Sequence, residues 1–220
     1  MGSITRGLSN NITTSGVILP AGITNASVSA VTSFANASGG GTLVLLSTQT
    51  ASSSATISFT TGLDSTYDEY IFKFINVRPA TDQANLSFQV DTGTNTNYNQ
   101  TMTTTFFYAY HNEADTATSL QYVGGYDQAQ GTGFQLLTEA IGNVSDENTC
   151  GQLSLYNPSS STYVKHFIVR TQTLEGTGYS SDSYCAGYVN TTTALTRVQF
   201  KMSSGNIADG VFKLYGVKKS

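Results

Sequence analysis

Charge is scarce in this sequence. Only 11% of its 220 residues are Asp, Glu, Lys or Arg, less than half the roughly 25% of an average soluble protein. Solvation therefore falls to Ser, Thr, Asn and Gly. Positive charge is scarcer still in the middle, where no Lys or Arg lies between Arg78 and Lys165 while Asp82, Asp91, Glu113, Asp115, Asp127, Glu139, Asp146 and Glu147 all do. With a net charge of -4, little is left to neutralise phosphates, and nucleic acid is not an expected partner. Long apolar runs are missing too. The longest candidate, "TLVLLS", falls far short of the ~18 residues of a membrane helix, so no membrane partner is expected. The opening "MGSITRGLSN" has neither the basic nor the apolar block of a secretory signal, and Arg6 stands where myristoylation needs Ser or Thr. Production in a cytoplasm is the expectation.

Trp is absent and Pro occurs three times, against thirteen Tyr, eleven Phe and abundant Thr and Val. Branched and aromatic side chains fit a pleated, half-buried surface, so this composition reads as all-β. Short apolar alternations recur with turn-forming residues between them. "TLVLLSTQ" and "ATISFT" flank "TASSS" as a plausible hairpin. "EYIFKFINV" sets Tyr70, Phe72 and Phe74 on one face and Ile71, Lys73, Ile75 and Val77 on the other, a central strand ended by Pro79. "NLSFQVD" and "TTTFFYAYH" read as half-buried strands, and "FQLLTEAIG" fits a short helix or a strand equally. "GQLSLYN", "KHFIVRTQ", "SDSYCAGYVN", "TRVQFKMS" and "GVFKLYGV" complete about ten strands, with "SSGNIADG" as the last turn region. No amphipathic helix separates them, which excludes a parallel βαβ architecture. The expected fold is an antiparallel β-sandwich, jelly-roll-like, over 42–220.

Residues 1–41 read differently. From Leu8 to Gly41 there is no charged side chain, yet Ile12, Val17, Ile18, Ile23, Val28, Val31 and Phe34 are spread through the stretch. It is too apolar for a solvated tail and too rich in Gly, Ser, Thr and Asn to build a core. An extended N-terminal arm that lies on a surface follows, with those seven residues as the candidate docking contacts. A neighbouring subunit can supply the surface; folding back as an edge strand of its own sandwich is the competing arrangement.

Candidate chemistry is thin. His111, Glu113 and Asp115 in "YAYHNEAD" would share a face at ~6.7 Å intervals if the strand continued through them, near the ~6.5–9.5 Å of inverting glycosidases. The same residues read more naturally as the polar loop ending that strand. His166, beside Phe167, reads as a half-buried histidine, and "SGGGT" lacks the Lys and helix of a phosphate-binding loop. Cys150 and Cys185 read as two buried thiols, a bridge between them being the alternative. No enzyme, cofactor or metal is expected. Tyr108, Tyr110, Tyr122, Tyr126 and Tyr179, with His111, fall in or near loops and strand ends. Phenol rings with nearby amides and carboxylates suit sugar hydroxyls, although packing in a core or interface is their more ordinary use.

The segments "ITRGLSNNITTSGVI", "AGITNASVSAVT", "LDSTYDEYIFKFINVRPATD", "NPSSSTYVKHFIVRT" and "VQFKMSSGNIADGVFKLYGV" resemble virion structural proteins of tailed phages that infect marine bacteria. The resemblance covers less than half of the residues and carries no catalytic motif. It implies a virion component in the head, tail or fibre, a homo-oligomer of the trimeric kind that family suggests, and other virion proteins as partners. On that footing the sandwich is displayed and the arm docks it. A host surface glycan is the alternative partner, and glycan hydrolysis the third reading.

Overall fold

The computed structural model describes residues 42–219 and two short strands of the preceding segment, β1 (Ile12–Thr13) and β2 (Gly16–Val17). The chain divides into two units, Met1–Gly40 and Gly41–Ser220. In the first, β1 and β2 pair antiparallel, with Ile12 opposite Val17. Of the candidate docking residues, Ile18, Ile23, Val28, Val31 and Phe34 lie outside the described residues, as do the side chains of Ile12 and Val17.

The second unit is an all-β antiparallel sandwich built from β3 (Leu43–Ser54), β4 (Ile57–Phe59), β5 (Glu69–Pro79), β6 (Leu86–Thr92), β7 (Met102–Asn112), β8 (Thr118–Tyr122), β9 (Ala129–Gly131), β10 (Gln135–Leu136), β11 (Thr149–Tyr156), β12 (Lys165–Leu174), β13 (Tyr179–Val189), β14 (Leu195–Met202) and β15 (Ile207–Val217). One sheet has nine strands in the order β3-β15-β5-β11-β12-β13-β7-β8, with β9 also on β7; the other has four, β10-β6-β14-β4. The chain passes repeatedly from one sheet to the other, as in jelly-roll-like sandwiches.

The core lies between the sheets and is made by alternation. β12 reads buried and exposed in strict turn from Lys165 to Thr173, so Phe167 and Val169 point inward while His166, Ile168 and Arg170 point outward. Phe88 and Phe200 of the small sheet meet Phe72, Phe74, Phe167 and Phe212 of the large one, all 0–1% exposed. Their rings sit edge-on or tilted at 4.9–6.3 Å, the offset geometry that aromatic quadrupoles favour.

Several expectations need correction. The hairpin across "TASSS" does not form: β3 runs through it to Ser54 and joins the large sheet, while β4 pairs with β14 in the small one. Tyr70, Phe72 and Phe74 do share the core face of a central strand, but Val77 joins them there and leaves Ile71, Lys73 and Ile75 on the other face. The cause is a bulge. Asn76 takes φ +51° and the register shifts against both neighbours there, which turns the next residue over. Gly210 makes room, because a Cβ on it would stand 2.7 Å from Val77 Cα at φ +132°. β6 is buried on both faces, not one. Its polar face is capped by loops: Gln89 donates to the carbonyls of Gln100 (2.9 Å) and Gly133 (2.9 Å), and Asp91 accepts the Tyr98 N–H (2.9 Å). "FQLLTEAIG" gives only the short β10 before irregular chain, and β15 begins inside "SSGNIADG" at Ile207.

The cysteines are free. Cys185 is buried on the core face of β13, whereas Cys150 is half-buried on the outer face of β11, where Asn76 N–H donates to its sulfur at 3.3 Å. The reading of two buried thiols holds for Cys185 alone. His166 is likewise exposed, its ring centroid 6.2 Å from that of Tyr188.

A tyrosine and carboxyl cleft as the candidate functional site

β7 sends Phe106, Tyr108 and Tyr110 to one face, and only Phe106 reaches the closed core. Further along the strand, the two tyrosines stay half-buried. Their rings stack at 5.7 Å with 29° between planes, and Tyr179, opposite Asn112 at the start of β13, meets Tyr110 edge-on at 5.2 Å. Tyr108, Tyr110, Tyr179 and Glu175 line a hollow of about 190 Å³. Tyr126 packs on the same core residue, its ring 5.1 Å from that of Phe106, and its hydroxyl donates to Glu139 Oε2 at 3.3 Å. The Gln121 amide on β8 lies between the Tyr108 and Tyr110 hydroxyls at 3.5 Å from each, a long and weak contact.

The acidic groups arrive from far apart in sequence. The β12–β13 hairpin turns through Glu175–Gly178, with Gly178 at φ +77° donating to the Glu175 carbonyl (3.0 Å) and the Glu175 N–H donating to the Tyr179 carbonyl (2.9 Å). Ile141 bridges to both Ala84 and Glu175, which draws the 139–141 segment against that turn. The two backbones nearly touch where Gly142 passes Gly176: a Cβ on Gly142 would stand 2.8 Å from Gly176 Cα.

Burial and the nearby Glu175 charge push the Glu139 carboxyl up to about 7. Burial also raises Glu175, against which the Ser181 hydroxyl donates to its Oε1. Burial, with the charges of Glu139 and Glu175, pushes Tyr108 up to about 12, so its phenol stays a proton donor. At neutral pH the hollow thus offers phenol donors and the Glu175 carboxyl, while the Glu139 carboxyl, on Tyr126 and outside its lining, is shared between its two states. These groups can hold the hydroxyls of a small neutral ligand.

A testable consequence concerns stability. Glu139 binds its proton more tightly in the folded chain than at its ordinary value of 4.5. The stability this contributes is fully present below that value and is lost as pH rises through about 7. Glu139→Gln mimics the protonated group and removes the dependence. Because the side chain is only half-buried, screening reduces the effect to ~1 kcal/mol. Denaturant unfolding is expected to show variant and native chain equal near pH 4, with the variant more stable by that amount near pH 8; equal stabilities at both would refute the burial of this carboxyl.

Of the residues expected from sequence to bind sugar, Tyr108, Tyr110, Tyr126 and Tyr179 come together. Tyr122 does not: it is 64% exposed and opposite Phe107 on the other face, with its hydroxyl on Asp127. His111 also points to that face, with Nε2 3.0 Å from Asp115 Oδ1 across the turn after β7. The strand ends at Asn112, so His111, Glu113 and Asp115 form no extended row; the loop reading holds. Among the described residues no group of three or more His, Cys, Asp or Glu could hold a metal ion, and no helix is long and apolar enough to cross a membrane. Glu139, Glu175 and Ser181 were not legible as site residues, since nothing in "LLTEAIG" or "TLEGTGY" marks them. No family model, curated protein or solved structure matches the chain.

Proposed function

We propose that the chain is a non-enzymatic structural subunit of a phage-type virion, a displayed β-sandwich whose tyrosine cleft recognises a sugar of the host surface. The observation that carries the recognition part is the gathering of Tyr108, Tyr110 and Tyr179 round an acidic hollow. Aromatic faces take the C–H faces of a sugar while phenols and carboxyls take its hydroxyls. Its volume of about 190 Å³ is below the ~300–1,000 Å³ of sites for drug-sized ligands, which favours a single sugar residue or a chain end. A glycan array probed with the full chain is expected to give binding to at least one neutral glycan; a blank array removes this part of the proposal.

Support for the virion part comes from the phage-like segments and from the uncharged stretch Leu8–Gly41. Head decoration, tail and fibre all suit a displayed sandwich, and a homo-oligomer in contact with other virion proteins follows from the same resemblance. Among the described residues, the core runs from Ala51 to Leu214. Removal of residues 1–41 is expected to leave a soluble, folded protein that no longer enters particles. Loss of folding in the truncated chain would favour an arm that folds back on its own sandwich.

A further inference from the structure

The outer face of the nine-stranded sheet carries a feature that the tyrosine cleft does not use. Register partners share a face, and the ladders align Lys213, Lys73, Gln152, Arg170, Tyr184 and Phe107 in one transverse row across β15, β5, β11, β12, β13 and β7. At about 4.8 Å between strands the row is ~24 Å long, the scale of several linked sugar residues.

Its charges are unevenly matched. Arg170 is satisfied within the sheet: Nε and Nη2 donate to both oxygens of Asp182 (3.0 and 2.8 Å) and its guanidinium lies 5.1 Å over the Tyr184 ring. Lys73 and Lys213 are directly opposite each other, and among the described residues neither has a carboxylate within ion-pair distance. Like charges placed opposite one another destabilise a sheet. In a chain so poor in cations, Lys73 of this pair lines an open hollow of about 530 Å³ together with Gln152, Gln172, Arg170 and the Asp182 that Arg170 neutralises, while Lys213 is placed next to Lys73 by the strand register. The amides add donors and acceptors suited to hydroxyls. Next along the row, Phe107 and Tyr184 stack at 4.9 Å with 2° between planes, and Phe107 is 39% exposed.

We propose that this row is a second binding site, separate from the cleft, for a saccharide bearing carboxylate or sulfate groups. The anion sits at Lys73 and Lys213, the hydroxyls meet Gln152 and Gln172, and the chain extends toward the Phe107–Tyr184 stack. The net charge of -4 disfavours a nucleic acid, whose closely spaced phosphates need many cations.

The test titrates the full chain with an oligogalacturonate, a sulfated galactan oligomer and a neutral galactan oligomer of equal length. At least one acidic probe is expected to bind, more weakly as salt rises, while any binding of the neutral one, which belongs to the cleft, does not depend on salt or on Lys73. Lys73→Gln should weaken that binding about fivefold and Lys73→Arg should restore it, the charge being worth ~1 kcal/mol at such a site. Tyr108→Ala should leave it unchanged, which separates this site from the cleft. Neutral-probe binding that falls with salt and with Lys73→Gln as the acidic binding does, no binding of either acidic probe, or indifference of the acidic binding to Lys73→Gln would overturn the proposal. So would a change of oligomeric state on sedimentation of Lys73→Gln, which would make the face a contact between copies of the chain.

Discussion

Phe200→Ala is expected to lower the stability of the sandwich by about 3–5 kcal/mol, the cost of emptying an aromatic site in a packed core. For a domain of this size that corresponds to a fall in melting temperature of about 10 °C. The expectation rests on where this ring sits. Phe200 of the small sheet meets three rings of the large one, with ring centroids of Phe74 at 5.1 Å, Phe72 at 5.5 Å and Phe212 at 5.5 Å across the interface. It also meets Phe59 and Phe88 of its own sheet, each at 6.3 Å. Five neighbours that are themselves fully buried cannot all move in to fill the space, so the cavity term stays large. Leu120→Ala is the control: that side chain is 72% exposed on the edge strand β8, and its loss should change stability by no more than ~0.5 kcal/mol. Comparable destabilisation by both would mean that the two sheets do not pack through Phe200.

The second large effect belongs to the cleft. Tyr110→Ala is expected to weaken sugar binding about tenfold or more while leaving the fold intact. Tyr110 contributes one face of the hollow and also fixes the other two rings, stacking on Tyr108 and standing edge-on to Tyr179. Each such pair is worth ~0.5–1.5 kcal/mol beyond its buried area, and a tenfold change in affinity needs ~1.4 kcal/mol. Its half-exposed position keeps the cost to stability small. Tyr122→Ala should bind as the native chain does, because Tyr122 lies on the opposite face of the sheet next to Phe107. Equal losses in the two variants would show that tyrosine content, and not this cluster, controls binding.

The difference between these two tyrosines also shows where sequence reading stops. Alternation is a local property, so β12 and most of β5 could be read directly, as could the sandwich as a whole. The Asn76 bulge could not, because a single residue at positive φ inverts the pattern after it, and Asn is an ordinary strand-end residue. The expected hairpin at "TASSS" failed for a related reason: turn-forming composition marks a change of direction, but not which sheet receives the next strand. Tyr108, Tyr110, Tyr126 and Tyr179 were named together with Tyr122 and His111 because all fall in or near loops and strand ends, and only the pairing of β7 with β8 puts the last two on the other face. Glu139 and Glu175 were not, since they meet through the Ile141 bridge to Glu175, a contact that spans two loops and has no sequence signature.

The most direct test of the central claim is a crystal structure of the full chain with a neutral glycan selected by array. The account predicts a sugar ring against Tyr108, Tyr110 and Tyr179, with a hydroxyl bonded to the Glu175 carboxyl. A glycan seated anywhere else on the sandwich, with that cleft empty, would contradict it.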